Sequence, residues 1–129
     1  MPQPIRLGMI TPSSNTVLEP MTAALLAGAP HISSHSARIR VTSISMGGGS
    51  VAQFDTSPMR EAAGLLADAK VGSICWNGTS AGWLGPDRDR AILGDITAET
   101  GIPATSAVLD TLEALRLLDV PGFGLVTPY

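Results

Sequence analysis

The stretch GMITPS at residues 8–13 decides the fold of this chain, and GLVTPY at residues 124–129 nearly repeats it. Each is a short apolar run that enters a Thr-Pro turn, which predicts a β-strand followed by a loop. The two stretches are separated by about the length of one domain. Such a repeat is typical of a duplicated α/β protein. We expect residues 1–121 to form a first lobe and residues 122–129 to be the first strand of a truncated second lobe.

Strands and helices alternate along the chain. Strands are predicted where short runs are apolar or β-branched, at residues 5–10, 37–44, 71–76, 104–106 and 123–126. Helices are predicted from apolar residues at helical spacing and from Gly or Pro at the ends, at about 20–27, 59–69, 87–100 and 108–118. The alternation predicts a flavodoxin-like parallel sheet with helices on both faces.

Two local details of the helices also follow from the pattern. Thr16 and Glu19 have the spacing of a capping box, but Pro20 disfavours helical geometry at Glu19. We therefore expect Pro20 at the first helical position. In the second helix the apolar stripe is expected to include Leu65 and Leu66 together with Met59.

The composition limits the classes of function. Hydrophobic residues make up 44% of the chain and aromatic residues only 4%, which predicts an aliphatic core like that of a covered parallel sheet. The net charge of −3, without a basic cluster, argues against nucleic acid or a membrane surface as a partner. No apolar run approaches the roughly 20 residues of a membrane span. The single cysteine, Cys75, fits a cytoplasmic protein without disulfides, and no metal site is predicted.

Two polar loops follow the first and third predicted strands, which are neighbours in a flavodoxin-like sheet. Ligands bind at the carboxyl ends of such strands, so both loops are expected to share one site. The candidate binding residues are Pro12, Ser14 and Asn15 in the first loop and Gly78, Thr79 and Ser80 in the second. Hydroxyl groups and free backbone N–H groups suit a carboxylate or a phosphate. Ordinary capping and turn formation is the alternative interpretation.

Other notable residues have weaker functional interpretations. Cys75 lies inside an apolar strand and is interpreted as a core residue rather than a nucleophile. Trp76 and Trp83 bracket the second loop and either line the pocket or pack in the core. The segment MGGGS at residues 46–50 lacks the features of a phosphate loop and is predicted to be a mobile loop over the pocket.

Three motifs then support a family resemblance: residues 10–16 with Glu19, residues 77–80, and residues 127–129. With these motifs in this order, the chain resembles the maleate isomerase and arylmalonate decarboxylase group of the aspartate/glutamate racemase superfamily. The resemblance extends over essentially the whole chain. It implies two flavodoxin-like lobes with a pocket between them, no cofactor, and a small mono- or dicarboxylic acid as substrate.

The resemblance also implies a type of chemistry. Racemases and maleate isomerases of this group have a first-lobe cysteine directly before a Thr-Ser pair, whereas Gly78 stands there in this chain. Arylmalonate decarboxylases have Gly-Thr-Ser at this place and keep only the second-lobe cysteine. The resemblance therefore implies decarboxylation, with Thr79, Ser80 and Tyr129 donating hydrogen bonds to a substrate carboxylate and stabilising an enediolate.

The resemblance further implies that Asn15 holds a carboxylate and that Pro12 shapes the pocket. Its proton-donating cysteine would lie beyond Tyr129, so this fragment is expected to have little or no activity. Three alternatives stay open: a non-catalytic carboxylate-binding module, a maleate cis–trans isomerase, and a nucleotide-binding flavodoxin-like domain. An unpaired last strand also leads us to expect a possible homodimer.

Overall fold

The computed structural model of the protein describes residues 3–41, 56–124 and 126. The predicted loop at residues 46–50 and the candidate binding residue Tyr129 lie outside the described residues. The side chain of Trp83 also lies outside the described part of the structure.

The described residues form four strands and five helices that alternate along the chain. In order they are β1 Ile5–Pro12, α1 Leu18–Leu26, β2 Ile32–Ile39, α2 Ser57–Asp68, β3 Ser73–Trp76, α3 Ala81–Leu84, α4 Pro86–Thr100, β4 Ala104–Ser106 and α5 Ala107–Leu117. All the strand pairs are parallel, and the sheet order is β2-β1-β3-β4. The predicted flavodoxin-like parallel sheet is confirmed, and β1 and β3 are neighbours as expected.

One face of the sheet carries the apolar core. Ile10, Ile74 and Trp76 are buried there beneath helices α2 and α4. Helix α2 contributes its side chains at helical spacing, and the buried ones are Met59, Ala62, Ala63 and Leu66. Helix α4 buries Ile92 and Ile96, one turn apart. The core is aliphatic apart from Trp76, as the composition predicts.

The opposite layer covers the sheet less completely. The connections β1-α1-β2 and β3-α4-β4 run in opposite directions along the sheet, so right-handed crossovers place α1 on the face opposite α4. Helix α1 contains no buried residue. Val17, Met21 and Leu25, at four-residue spacing along α1, are all exposed. The two layers therefore contribute very unequally to the core.

Several predicted boundaries are wrong. The second strand is Ile32–Ile39 rather than residues 37–44, because it pairs with β1 from Ile5 onward although its first half is rich in serine. Leu65 is exposed, since the buried face of α2 runs through Met59, Ala62, Ala63 and Leu66. Part of the loop predicted after β3 forms the short helix α3.

The ends of the chain segments show two further differences. Helix α1 begins at Leu18, so Pro20 is its third residue. Proline is tolerated there because the first N–H groups of a helix have no intrahelical acceptor. Phe123, Gly124 and Val126 lie in no strand, and all three are exposed. A second lobe starting at residue 122 stays a prediction.

Candidate functional site

The two predicted loops leave the same edge of the sheet from adjacent strands. Ile10 of β1 and Trp76 of β3 are paired in register, and Pro12 and Gly78 each lie two residues further on. Neighbouring strands are about 4.8 Å apart, so the two loops start side by side. The backbone N–H of Asn77 donates to the carbonyl oxygen of Ile10 over 3.0 Å and ties the strand ends together. The ligand-binding roles of these residues stay predictions.

In the first loop, the Asn15 side chain caps helix α1. Its Oδ1 accepts hydrogen bonds from the backbone N–H of Val17 at 3.0 Å and of Leu18 at 2.9 Å. The N-terminus of α1 is thus capped by Asn15, and the alternative capping box of Thr16 with Glu19 is wrong. No hydrogen bond of Asn15 Nδ2 is found among the described residues. That amide group is the donor that Asn15 can offer to a ligand.

Arg38, at the end of β2, holds the first loop in shape. Its Nη1 donates to the carbonyl oxygens of Ser13 at 3.0 Å and Asn15 at 2.8 Å. Its Nη2 pairs with the carboxylate of Glu19 on α1. Sequence reasoning missed this residue because its partners lie more than twenty residues earlier in the chain. Arg38 places a positive charge beside the loop that is predicted to bind an acid.

In the second loop, the side chain of Asn77 is hydrogen-bonded to the strands of the sheet. Its Nδ2 donates to the carbonyl oxygens of Ile10 at 3.3 Å and Cys75 at 3.1 Å. The Asn77 side chain thus gives the Ile10 carbonyl a second donor, beside the Asn77 backbone N–H, and gives the Cys75 carbonyl a donor as well. Its role is to fix the start of the loop, and the next residues, Thr79 and Ser80, are the ones that face outward.

The hydroxyl residues of the second loop stand at the entrance to α3. Thr79 is exposed and Ser80 is half-buried. Their backbone carbonyl oxygens accept from Gly82 N–H at 3.0 Å and Leu84 N–H at 2.9 Å. The Ser80 side chain makes no capping hydrogen bond to α3. The backbone of this pair is therefore used within the short helix, while the Ser80 hydroxyl is not used to cap it.

The packing of the structure explains why position 78 is occupied by glycine, which the sequence alone does not reveal. A Cβ atom at this position would lie 2.0 Å from Cζ2 and 2.4 Å from Cε2 of the Trp76 indole. Such distances are far below any real Cβ contact, so the ring excludes a side chain there. Packing against Trp76 is thus one reason for glycine at position 78, and the approach of a ligand to its backbone stays a prediction.

The Cys75 side chain is half-buried, and its thiol is protonated at neutral pH. Burial, and to a lesser extent the carboxylates of Asp110 and Asp89, raise the pKa of the Cys75 thiol to about 11. Its Sγ lies 3.6 Å from Asn77 Oδ1, a weak hydrogen bond. Side chains alternate along a strand, so Cys75 and Trp76 lie on opposite faces of the sheet. Cys75 is thus half-buried on the face opposite the apolar core, so its interpretation as a core residue is wrong, while its raised pKa agrees with the interpretation that it is not a nucleophile.

Three buried polar atoms near this edge have no hydrogen-bond partner among the described residues: Thr11 Oγ1, Trp76 Nε1 and Asp89 Oδ2. Asp89, in the first turn of α4, is only 1% exposed. Leaving such a group unpaired costs about 1–3 kcal/mol. No sequence signal marks Asp89, because acidic residues in the first turn of a helix are usually solvent-exposed.

A pocket of about 450 Å³ lies elsewhere, between α4, β4 and α5. Its two cations are Arg90 and Arg116. Arg90 pairs with Asp87 and Arg116 pairs with Glu113, each over 2.7 Å. Both guanidinium groups of this pocket are therefore already paired with carboxylates, as Arg38 is with Glu19.

Metal-binding clusters and membrane-spanning helices are both absent from the described residues. No three His, Cys, Asp or Glu side chains in residues 3–41, 56–124 and 126 are grouped so that they could hold a metal ion. None of the helices in the same ranges has the length and apolar character needed to cross a membrane.

The fold and the paired loops define an α/β domain of flavodoxin-like topology with its candidate site at the β1/β3 edge. No family model and no curated protein matches the sequence. The structure is similar to that of unliganded arylmalonate decarboxylase, with a TM-score of 0.71 and 21% identity over 89% of this chain and 47% of that chain. It is also similar to a crystal structure of arylmalonate decarboxylase, with a TM-score of 0.64 and 20% identity over 88% of this chain and 46% of that one.

The chain thus spans about half the length of the solved structures that it matches. At this level of identity the likeness shows a shared fold. The predicted parallel α/β architecture is therefore confirmed by an independent comparison.

Proposed function

We propose that this chain is part of a cofactor-independent enzyme of the aspartate/glutamate racemase superfamily. Its substrate is a small mono- or dicarboxylic acid, and its Gly78-Thr79-Ser80 loop is of the decarboxylase type. The likeness of the fold to arylmalonate decarboxylase supports this proposal. The observation that carries it is the position of the two polar loops, which leave adjacent parallel strands at the same edge.

The donors at this edge fit a carboxylate. The hydroxyl groups of Thr79 and Ser80 and the Nδ2 of Asn15 can each donate one hydrogen bond to an anionic oxygen. The guanidinium of Arg38 donates to two carbonyl oxygens of the first loop and is paired with Glu19, so its contribution is to hold the loop in shape.

Decarboxylation places specific demands on such a site. The bond between the α-carbon and the departing carboxylate breaks, CO₂ leaves, and the electron pair moves into the remaining carboxylate as an enediolate. Hydrogen bonds from Thr79 and Ser80 to that carboxylate strengthen as its negative charge grows. A proton must then reach the α-carbon. Among the described residues the loops supply no suitable acid, because position 78 has no side chain and Cys75 lies within the sheet.

We therefore infer that the chain of residues 1–129 binds a small acid without turning it over. The test is a titration of isotopically labelled protein with malonate, maleate and succinate, followed by amide NMR. We expect the largest shifts at residues 13–16 and 77–80, and none with the neutral analogue malonamide. Saturating malonate that leaves both loops unchanged contradicts the proposal.

Two variants make the binding test specific. Thr79→Val and Ser80→Ala each remove one hydroxyl, and the loss of a hydrogen bond to a charged group is worth about 1.5–3 kcal/mol. Each variant should therefore bind malonate roughly 10- to 100-fold more weakly. Thr97→Val, at an exposed position on α4, is the matched control and should leave the affinity unchanged.

A non-catalytic carboxylate-binding module is the second candidate. It is favoured by one observation, the elevated pKa of about 11 of the single thiol, which leaves that thiol inert at neutral pH. Both candidates predict binding by residues 1–129. They differ in a longer chain that carries a cysteine in a second lobe, since only the enzyme then converts malonates or maleate.

A further inference from the structure

The indole ring of Trp76 fills the space beside the backbone of Gly78. Trp76 is 5% exposed and belongs to the core under α2 and α4. Atoms of its six-membered ring, Cζ2, Cε2 and Cη2, are the nearest neighbours of a Cβ at position 78, at 2.0, 2.4 and 2.9 Å. Any side chain at position 78 would force either the ring or the loop to move.

The requirement for glycine at position 78 is steric. Among the described glycines, positive φ angles occur at Gly85 and Gly101, and Gly78 is not one of them. Gly82, in α3, has no heavy atom within 4 Å of its Cβ position. Packing against Trp76, rather than an unusual backbone conformation, therefore accounts for glycine at this point of the loop.

The ring keeps its position by packing alone. Its Nε1 is buried and finds no hydrogen-bond partner among the described residues. Cε2, the ring carbon bonded to Nε1, is one of the atoms that face position 78. A smaller aromatic side chain at position 76 can keep the core filled while it withdraws from Gly78, because no hydrogen bond is lost.

We propose that Trp76 is a specificity-determining residue of the loop at residues 77–80. Because its ring fills the volume of a side chain at position 78, the loop carries the hydroxyls of Thr79 and Ser80 but no proton-carrying group at that position. This inference rests on the proposed function, in which the loop binds the acid. Trp76 therefore acts through the residue that it allows at position 78, and not by contact with the acid.

The first test is a double-mutant cycle in thermal stability. Gly78→Ala alone should lower the melting temperature by about 10 °C, as expected for an overpacked site in a domain of this size. In the presence of Trp76→Phe the same Ala substitution should cost less than half of that. Trp76→Leu repeats the cycle if the Phe variant does not fold. Equal losses in the two backgrounds would overturn the proposal.

Gly82→Ala is the matched control for the cycle. Its Cβ meets no neighbour and it lies in a helix, so it should have the same small effect with Trp or Phe at position 76. A Gly82→Ala effect that also depends on residue 76 would show that the coupling is not local, and would count against the proposal.

The second test concerns the chemistry of the loop. In a Cys75→Ser background, Gly78→Cys combined with Trp76→Phe should give a folded protein whose one thiol is alkylated under native conditions. Gly78→Cys with Trp76 retained should be mostly unfolded or at least 10 °C less stable. A stable protein with a reactive thiol beside an intact Trp76 would overturn the proposal.

The malonate titration distinguishes a failure of the proposed role of Trp76 from a failure of the proposed function. If malonate binds to wild-type protein and the stability effects of the substitutions at positions 76 and 78 are additive, the proposed role of Trp76 is wrong and the proposed function stands. If the cycle shows coupling and malonate leaves residues 77–80 unchanged, the proposed function fails, and the specificity role of Trp76 fails with it.

Discussion

Arg38 donates a hydrogen bond to the backbone carbonyl oxygen of Asn15 over 2.8 Å, and the same nitrogen also donates to Ser13. The end of β2 is in this way fastened to the loop that follows β1. The Asn15 side chain in turn caps α1. The position of the candidate donor Asn15 Nδ2 therefore depends on a guanidinium group from a different strand.

Arg38→Lys should loosen this loop. A lysine ammonium cannot reproduce the planar arrangement by which Nη1 holds two carbonyls and Nη2 holds Glu19. Because the side chain is part exposed, we expect a loss of only about 1 kcal/mol in the free energy of unfolding by urea. Amide exchange at residues 13–17 should accelerate.

Arg40→Lys is the control for this change, since Arg40 is exposed just after β2. It should alter neither stability nor exchange. Glu19→Gln tests the ion pair alone and should have a smaller effect than Arg38→Lys. If Glu19→Gln reproduces the full effect, the two carbonyl hydrogen bonds are not what holds the loop.

The removal of Asn77 should destabilise the sheet edge. Asn77→Ala deletes the Nδ2 donor to the carbonyl oxygens of Ile10 and Cys75. The cost should be about 2 kcal/mol in the free energy of unfolding, since both carbonyls lose a partner in a half-buried place. Asn77→Asp should be at least as harmful, because a carboxylate accepts hydrogen bonds but cannot donate them.

The pH dependence of the Asp variant checks that explanation. Asn77→Asp should regain part of its lost stability, relative to wild type, when acid protonates the new carboxyl group. The stability loss of Asn77→Ala relative to wild type should not depend on pH. Urea unfolding at pH 4 and pH 7 measures the difference. If the two variants behave alike at both pH values, the missing donor is not the cause of the loss.

The sequence predicted the parallel sheet and the two loops because both depend on local patterns. An apolar strand followed by a polar turn can be identified for β1 and β3 without any knowledge of the fold. The pairing that stabilises β2 is nonlocal: its serine-rich first half becomes a strand only because it lies in register with β1 from Ile5 onward. No property of the local residues could have indicated that boundary.

The same limit applies to the site. Gly78 looked like a position for ligand approach, and only the structure reveals the Trp76 ring on its Cβ side. Arg38 and Asp89 were missed because their roles depend on long-range packing. Asn15, in contrast, caps α1, which is one of the two roles that its position suggested beside the binding of a carboxylate. Capping can be predicted because it depends on residues within three positions of Asn15.

The Cys75 thiol should resist alkylation at moderately alkaline pH. With a pKa of about 11 in the folded state, very little thiolate exists at pH 8. An unfolded thiol has a pKa near 8.5, so folded protein should react with iodoacetamide on the order of 100-fold more slowly than urea-unfolded protein. Mass spectrometry over time gives both rates.

The raised pKa of Cys75 also predicts how stability depends on pH. The folded state binds the thiol proton more tightly than the unfolded state does. This contribution is fully present below the unfolded pKa and is lost as pH rises toward about 11. Stability should therefore decline above about pH 8.5 by an amount that Cys75→Ser removes. A wild-type decline that persists unchanged in Cys75→Ser would assign it to other groups.

Asp110 and Asp89 should act on Cys75 in a fixed order. Both carboxylates raise the pKa of the thiol, and Asp110 has the larger effect. Asp110→Asn should therefore lower the Cys75 pKa more than Asp89→Asn does, and both should accelerate alkylation at pH 8. Asp87→Asn is the control, because Asp87 is exposed and paired with Arg90.

The pH dependence of the alkylation rate gives the Cys75 pKa in each variant. Asp110→Asn also removes an acceptor of Thr105, so its melting temperature must be compared with that of Asp89→Asn. If Asp110→Asn reacts faster through a lower pKa, the pH profile shifts along the pH axis. If instead the melting temperature falls and the apparent pKa moves to about 8.5, that of an unfolded thiol, the reaction proceeds through opened molecules and the electrostatic explanation is wrong.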